Sequence, residues 1–265
     1  MIHKSIRGID LALDWVDAGE ELIVFIHGVG ADRCGWKPQV SFFSQMGYSV
    51  AAIDMRGTGE SQARDESGKA IPITISDFAL DVHELILELG FERAHWVGNS
   101  MGGVIIQEVF RQSLPTIAKA VLCNTFAKHP ESAFLLPRPA NALKTKSLAD
   151  FAAERIPFAH RPDISPDILK DSIRAMATKD VETYLLSWRE TWSQDYRELL
   201  RSVTTPSLII TGSLDKITPP ALGLEIQSLV PNAHYYQIEN ASHLSNLDQP
   251  EEFNRVVLEF LMTAP

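Results

Sequence analysis

Three residues of this chain have the types and surroundings that nucleophilic catalysis needs: Ser100, Asp215 and His243. Ser100 lies in Val97-Gly98-Asn99-Ser100-Met101-Gly102-Gly103, after an apolar stretch and before Val104, Ile105 and Ile106. Glycines on both sides let a strand turn abruptly into a helix without Cβ clashes. The serine between them tolerates strained backbone angles and projects its hydroxyl from the sheet. A serine hydroxyl is a weak nucleophile, so a base must take its proton and a buried carboxylate must orient and stabilise the resulting imidazolium. His243, in Ala241-Ser242-His243-Leu244, offers the imidazole, and Asp215, in Gly212-Ser213-Leu214-Asp215-Lys216, the carboxylate. Taken singly, Asp215 reads first as a turn residue and His243 as an incidental loop histidine. Placed beyond three strands in this order, the three read as a catalytic triad.

The tetrahedral intermediate of such a reaction also needs N–H donors for its oxyanion. One is expected from Met101, at the start of a helix whose dipole favours negative charge. The other is expected from Val29 in His27-Gly28-Val29-Gly30, where two glycines let the backbone approach the site. His27 itself reads as a residue that packs this loop. Trp36, Trp188 and Trp192 are candidate apolar walls of a substrate pocket, although core packing accounts for each as well. Asn99 adjoins the nucleophile, and Arg33 is a candidate bidentate partner for a substrate carboxylate, with a solvated surface role as its alternative. Asp54 precedes Ser100 in the chain and is expected to order its own loop. The remaining histidines show no paired spacing for a metal, and Gly57 and Gly59 make no dinucleotide fingerprint, so neither metal nor cofactor is expected.

The elements that must position these residues show in the hydropathy pattern. An alternating segment, 5–16, followed by Asp17, Ala18 and Gly19, suggests an opening antiparallel hairpin. Continuous apolar runs at 22–26, 48–53, 94–98, 118–124 and 207–212 suit strands buried on both faces of a parallel sheet, and 234–238 is a further strand. Between them Phe78, Val82, Leu85, Ile86 and Leu89 recur at helical spacing, and helices are expected at 220–230 and 250–261. This rhythm predicts an α/β, doubly wound and mostly parallel sheet, whose ligands gather at the carboxyl ends of the strands. From 126 to 201 the rhythm stops. Prolines there punctuate helical stretches at 148–156, 166–178 and 181–192. The chain therefore divides into a core of residues 1–125 and 202–265 and a helical lid of residues 126–201.

A length of 265 residues with 45% apolar content is enough for one large core. A net charge of −10 disfavours nucleic acid and anionic membranes as partners and leaves a small-molecule substrate as the expected one. Two cysteines, Cys34 and Cys123, and no apolar leader point to a reducing, cytoplasmic setting. Oligomeric state leaves no mark in this pattern.

With HGVG, DMRGTGES, GNSMGG, the aspartate after the strand at 207–212 and the late histidine assembled, the whole chain resembles the α/β hydrolase fold superfamily. The order Ser100, Asp215, His243 is the one that superfamily uses. A closer likeness, carried by LCNTFAK at 122–128, by Asp215 with Thr218-Pro219-Pro220 and by ASHLSNLDQPE at 241–251, is to 3-oxoadipate enol-lactonases. That likeness implies a cofactor-free serine hydrolase cleaving a small anionic ester or lactone through an acyl-Ser100 intermediate. Asn99 is similar to the residue before the nucleophile in the meta-cleavage product hydrolases, which cut carbon–carbon bonds. Leu244 stands where that family usually has tryptophan. The alternatives are thus a carbon–carbon hydrolase and, from another class, a ligand receptor that retains a slow triad.

Overall fold

The computed structural model describes residues 1–263. Eight strands form one sheet: β1 (Ile2–Ile6), β2 (Ile9–Val16), β3 (Leu22–Ile26), β4 (Ser49–Ile53), β5 (Ala94–Asn99), β6 (Ile117–Cys123), β7 (Ser207–Gly212) and β8 (His234–Ile238). Their order is β1-β2-β4-β3-β5-β6-β7-β8. β1 and β2 are antiparallel, β2 meets β4 antiparallel, and β3 to β8 run parallel. The doubly wound, mostly parallel α/β sheet expected from the apolar runs is what the chain builds.

Strand composition explains why the parallel part is central. In β3, Leu22, Val24 and Ile26 enter the apolar cluster on one face of the sheet, while Ile23 and Phe25 enter the cluster on the other. β4 divides in the same way, with Ala51 and Ile53 on one side and Val50 and Ala52 on the other. Side chains alternate along a strand, so a run that is apolar throughout can only be satisfied by cover on both faces. The helices Ile75–Glu88 and Met101–Gln112 cover one face with Phe78, Val82, Val104 and Ile105. The helices Lys37–Gln45 and Pro250–Leu261 cover the other with Phe43, Phe253 and Val257.

The opening hairpin differs from the expectation. Its turn is Arg7-Gly8, not Asp17 to Gly19, and Ile6 pairs with Ile9 across it. Arg7 and Gly8 have φ of 50° and 76°, both positive as a two-residue hairpin turn with right-handed strand twist requires. The segment 17–21 instead links β2 to β3.

Between β6 and β7 no strand interrupts residues 124–206. The helices Leu148–Arg155, Pro166–Ala177 and Val181–Trp192 dominate this insert. Leu148, Ile156, Met176, Tyr184, Trp188 and Trp192 join the same apolar cluster as the sheet face beneath them. The insert therefore shares the core of the sheet rather than building one of its own.

No atom lies within 4 Å of the position a Cβ would take at Gly8. Gly8→Ala therefore isolates the backbone cost of positive φ, and a loss of ~1 kcal/mol in unfolding free energy by urea titration is expected, with the spectrum of the native state unchanged.

Candidate active site

Ser100 occupies the bend between β5 and the helix Met101–Gln112, with φ 55° and ψ −111°. A non-glycine residue reaches such angles only when its surroundings over-determine them. Here the Ser100 N–H donates to the Cys123 carbonyl at 2.9 Å, and the Thr125 hydroxyl donates to the Ser100 carbonyl at 2.8 Å. The flanking glycines are required by contact. A Cβ on Gly98 would stand 2.3 Å from the Gly102 carbonyl carbon, and one on Gly102 would stand 2.3 Å from the Ile26 carbonyl oxygen. The helix thus starts pressed against the ends of β3 and β5, which lifts Ser100 out of the sheet edge.

Beyond β7 and β8, Asp215 and His243 meet: Nδ1 of His243 donates to Oδ2 of Asp215 at 2.9 Å. The other oxygen, Oδ1, accepts the backbone N–H groups of Ile217 and Thr218 at 2.8 and 2.9 Å. Oδ2 also accepts from the Thr218 hydroxyl at 2.7 Å and the Asn124 amide at 3.0 Å. Burial pushes the Asp215 carboxyl up, but the facing His243 imidazole and these donors outweigh it and hold the group below the usual carboxylate range. Asp215 is therefore an anion at neutral pH, and the His243 proton is fixed on Nδ1, which leaves Nε2 as the basic nitrogen.

Ser100 and His243 line one cavity of about 270 Å³. Val29 lines it as well, and Met101 begins the serine helix. Among the described residues the N–H groups of Val29 and Met101 donate to no protein acceptor. His27 stabilises the Val29 loop: Nε2 accepts from the Met55 N–H at 3.1 Å, so Nδ1 carries the proton and donates to the Gly28 carbonyl at 2.8 Å. Burial, aided by the nearby Lys179 charge, pushes its pKa down to about 4.

The candidate substrate residues separate. Trp36, Trp192 and Asn99 line the cavity. Asn99 is 3% exposed, and both its amide nitrogen and its oxygen lack a hydrogen-bond partner. Trp188 does not line the cavity. It sits behind the wall, with its indole N–H donating to the Leu135 carbonyl at 3.1 Å.

Arg33 corrects the expectation most clearly. Its guanidinium pairs with Asp54 and, at 3.2 Å, with Asp14, while its backbone N–H donates to Asp54 at 2.7 Å. It lies outside the cavity, and its charge is already matched by two carboxylates. Asp54 does order its loop, accepting the Glu60 N–H at 3.0 Å as well.

Two contributors escaped the sequence reading. Asn124, in the left-handed region at φ 45°, donates to Asp215 and to the Ser242 carbonyl at 3.3 Å, and accepts from the Ser245 hydroxyl at 2.6 Å. One amide thereby ties three strand-end loops together. Asp248 does similar work across the insert. It accepts from the backbone N–H groups of Ser242 at 2.7 Å and Arg161 at 3.0 Å, and pairs with His160 at 2.9 Å. A further bond runs from the Leu244 N–H to the Ala159 carbonyl at 2.9 Å. Residues 159–161 of the insert are thus stitched to the loop carrying His243. Only the spacing Asp215-x-x-Thr218, suited to a carboxylate accepting at i+3, was available as a local signal.

Residues 21–250 match the family model described as alpha/beta hydrolase fold, and the chain belongs to that family. It is an enzyme of the hydrolase class. It is similar to 3-oxoadipate enol-lactonase 1 of Acinetobacter baylyi, with 30% identity over 242 residues, covering 90% of this chain and 88% of that protein. It is 29% identical over 271 residues to a 2-hydroxy-6-oxononadienedioate/2-hydroxy-6-oxononatrienedioate hydrolase of Paraburkholderia phymatum, covering 96% and 92% of the two chains. The solved enol-lactonase of Burkholderia xenovorans LB400 superposes with a TM-score of 0.89 at 27% identity, covering 99% of this chain and all 100% of the other.

His95, like His27, is buried, and desolvation followed by the Lys119 and Arg93 charges pushes its pKa down to about 4. Both rings are neutral in the native state and take up protons on unfolding below their ordinary value of 6.5, so the unfolded chain binds more protons over that window and stability rises with pH across it. As pH falls from 6.5 to about 4, the unfolding free energy is expected to drop by up to ~1.4 kcal/mol per pH unit for each ring. His27→Gln is expected to make that slope shallower in urea titrations at stepped pH; an equal slope counts against a neutral, Met55-bonded ring.

Proposed function

We propose that this protein hydrolyses a small carboxylic ester or lactone, of the enol-lactone kind, through an acyl-Ser100 intermediate. The observation that carries the reading is the placement of Ser100, held in a strained bend, and His243, locked to a buried Asp215 anion, in one cavity. His243 Nε2 takes the Ser100 proton as the hydroxyl oxygen attacks the carbonyl carbon. Asp215 stabilises the imidazolium formed. The unbonded N–H groups of Val29 and Met101 receive the oxyanion. His243 then protonates the leaving oxygen and, in the second half-reaction, activates the water that releases the acid. The helices of residues 126–201 act as the lid that shapes the cavity and excludes water from it. The relatives support this chemistry, since enol-lactonases are among them. The two unbridged cysteines support a reducing, cytoplasmic setting, and no helix among the described residues is long and apolar enough to cross a membrane.

A second reading, hydrolysis of a carbon–carbon bond in a dienol ring-cleavage product, is favoured by one feature. Asn99 presents two unpartnered polar atoms beside the nucleophile, and a hydrolase of an oxononadienedioate is also among the relatives. The two readings share the triad and differ in the bond broken.

Ser100→Ala is expected to lower kcat on an activated ester roughly ten-thousandfold or more with unchanged thermal unfolding. Turnover retained within tenfold would remove Ser100 from the mechanism. Assaying an enol-lactone beside a coloured dienolate decides the bond: carbon–carbon cleavage requires loss of the visible absorbance together with release of the carboxylic acid fragment, since ketonisation alone also bleaches the dienolate.

A further inference from the structure

The largely buried arginines of the core are matched by acids: Arg33 by Asp14 and Asp54, and Arg56 by Asp81 at 2.5 Å. Arg155 is the contrast. It ends the helix Leu148–Arg155, lines the same cavity as Ser100 and His243, and among the described residues its side chain makes neither an ion pair nor a hydrogen bond. Its neighbour in sequence, Glu154, is taken by Lys146 at 2.5 Å. The Arg155 guanidinium lies over the Trp188 ring, 4.5 Å from the centroid, which fixes the plane of the fork without satisfying its N–H groups. Burial pushes its pKa down; Tyr184 opposes this, and the second cation Arg138 adds to it. Among the described residues no carboxylate lies within 4 Å of it.

Two more donors are stranded at the same wall. The Tyr184 hydroxyl and the Trp192 indole N–H are buried without partners, and both residues line the cavity. Their rings flank Trp188, at 6.3 Å from Tyr184 and 5.1 Å from Trp192. Buried donors are normally satisfied, and a desolvated cation without a counter-charge is costly to hold. A planar fork on a wall that also carries a hydroxyl and an indole N–H offers donors of the kind that the two oxygens of a carboxylate accept.

We propose that Arg155, with Tyr184 and Trp192, forms a carboxylate subsite in the insert that binds an acid group of the substrate remote from the bond cut at Ser100. Arg155 takes the place first considered for Arg33. Lys37 also lines the cavity, but it is exposed and its charge is screened by solvent. The two acids lining the cavity are otherwise engaged: Asp32 accepts the Cys34 N–H at 2.9 Å, and Asp171 stands beside Arg174. The subsite rests on the reading of Ser100 as the nucleophile only for its place in catalysis; its affinity for an acid is independent of turnover.

The test compares para-nitrophenyl butyrate, which is neutral, with the para-nitrophenyl monoesters of succinate, glutarate and adipate. The ratio of kcat/KM on the best monoester to that on butyrate is expected to fall roughly tenfold to a hundredfold in Arg155→Gln. In Tyr184→Phe, which removes a hydroxyl and almost no volume, the same ratio is expected to fall roughly threefold to tenfold. An unchanged ratio in both variants overturns the subsite, even if both lose activity on every ester. If the unmodified enzyme turns over neither class, the mechanism at Ser100 fails separately. Titration calorimetry with glutarate then decides the subsite alone: binding that is lost in Arg155→Gln upholds it, and equal or absent binding in both proteins overturns it.

Discussion

The arrangement depends on one strained residue. Ser100 holds backbone angles that cost about 1–3 kcal/mol, and it keeps them because the helix behind it is jammed against β3 and β5 with no room for side chains at Gly98 or Gly102. Relaxing that bend would let the serine fall back into the helix start and take its hydroxyl away from the cavity it shares with His243. The cost is offset by the sheet itself. Its central strands are buried on both faces, and the Ser100 N–H continues the β5–β6 hydrogen bonding onto Cys123.

Around that bend the polar groups are arranged by subtraction. Asp215 has four donors besides the imidazole and no freedom to accept a proton, so its charge is available only to orient and stabilise His243. His27 is held neutral and bonded on both nitrogens, and it contributes loop geometry rather than proton transfer. Several unsatisfied groups gather at the cavity: the Val29 and Met101 N–H groups, the Asn99 amide and the donors near Trp188, while His95, Gln107 and Arg161 each leave one buried polar atom without a hydrogen-bond partner elsewhere. In a folded protein, where most buried polar groups are paired, such residues of the hydrogen-bond balance mark where a ligand completes it.

How much of this was legible in the sequence follows the range of each signal. The serine motif is local, since strand, bend and helix lie within about ten residues, and its glycines have contacts that no other residue could make. The doubly buried strands were equally plain from their continuous apolar runs. The opening hairpin was misplaced because Arg7-Gly8 is a turn only by virtue of an arginine at positive φ, a conformation its residue type does not advertise. The arginines were beyond reach for a different reason. Whether Arg33 or Arg155 has a free charge depends on carboxylates brought in by other strands, such as Asp14 and Asp54, and nothing within a few residues of either reports it. Asn124 and Asp248 were invisible likewise, because each acts by joining loops far apart in sequence.

The stitching of residues 159–161 to the loop of His243 has a consequence for which molecules fit. Three residues separate Arg155 from that seam, so the wall bearing the guanidinium is tied through a short stretch of chain to the loop bearing the imidazole. In the proposed subsite, the span between an acid group held at Arg155 and a carbonyl attacked by Ser100 would be set by the protein rather than by the ligand, as a fixed gauge sets a length.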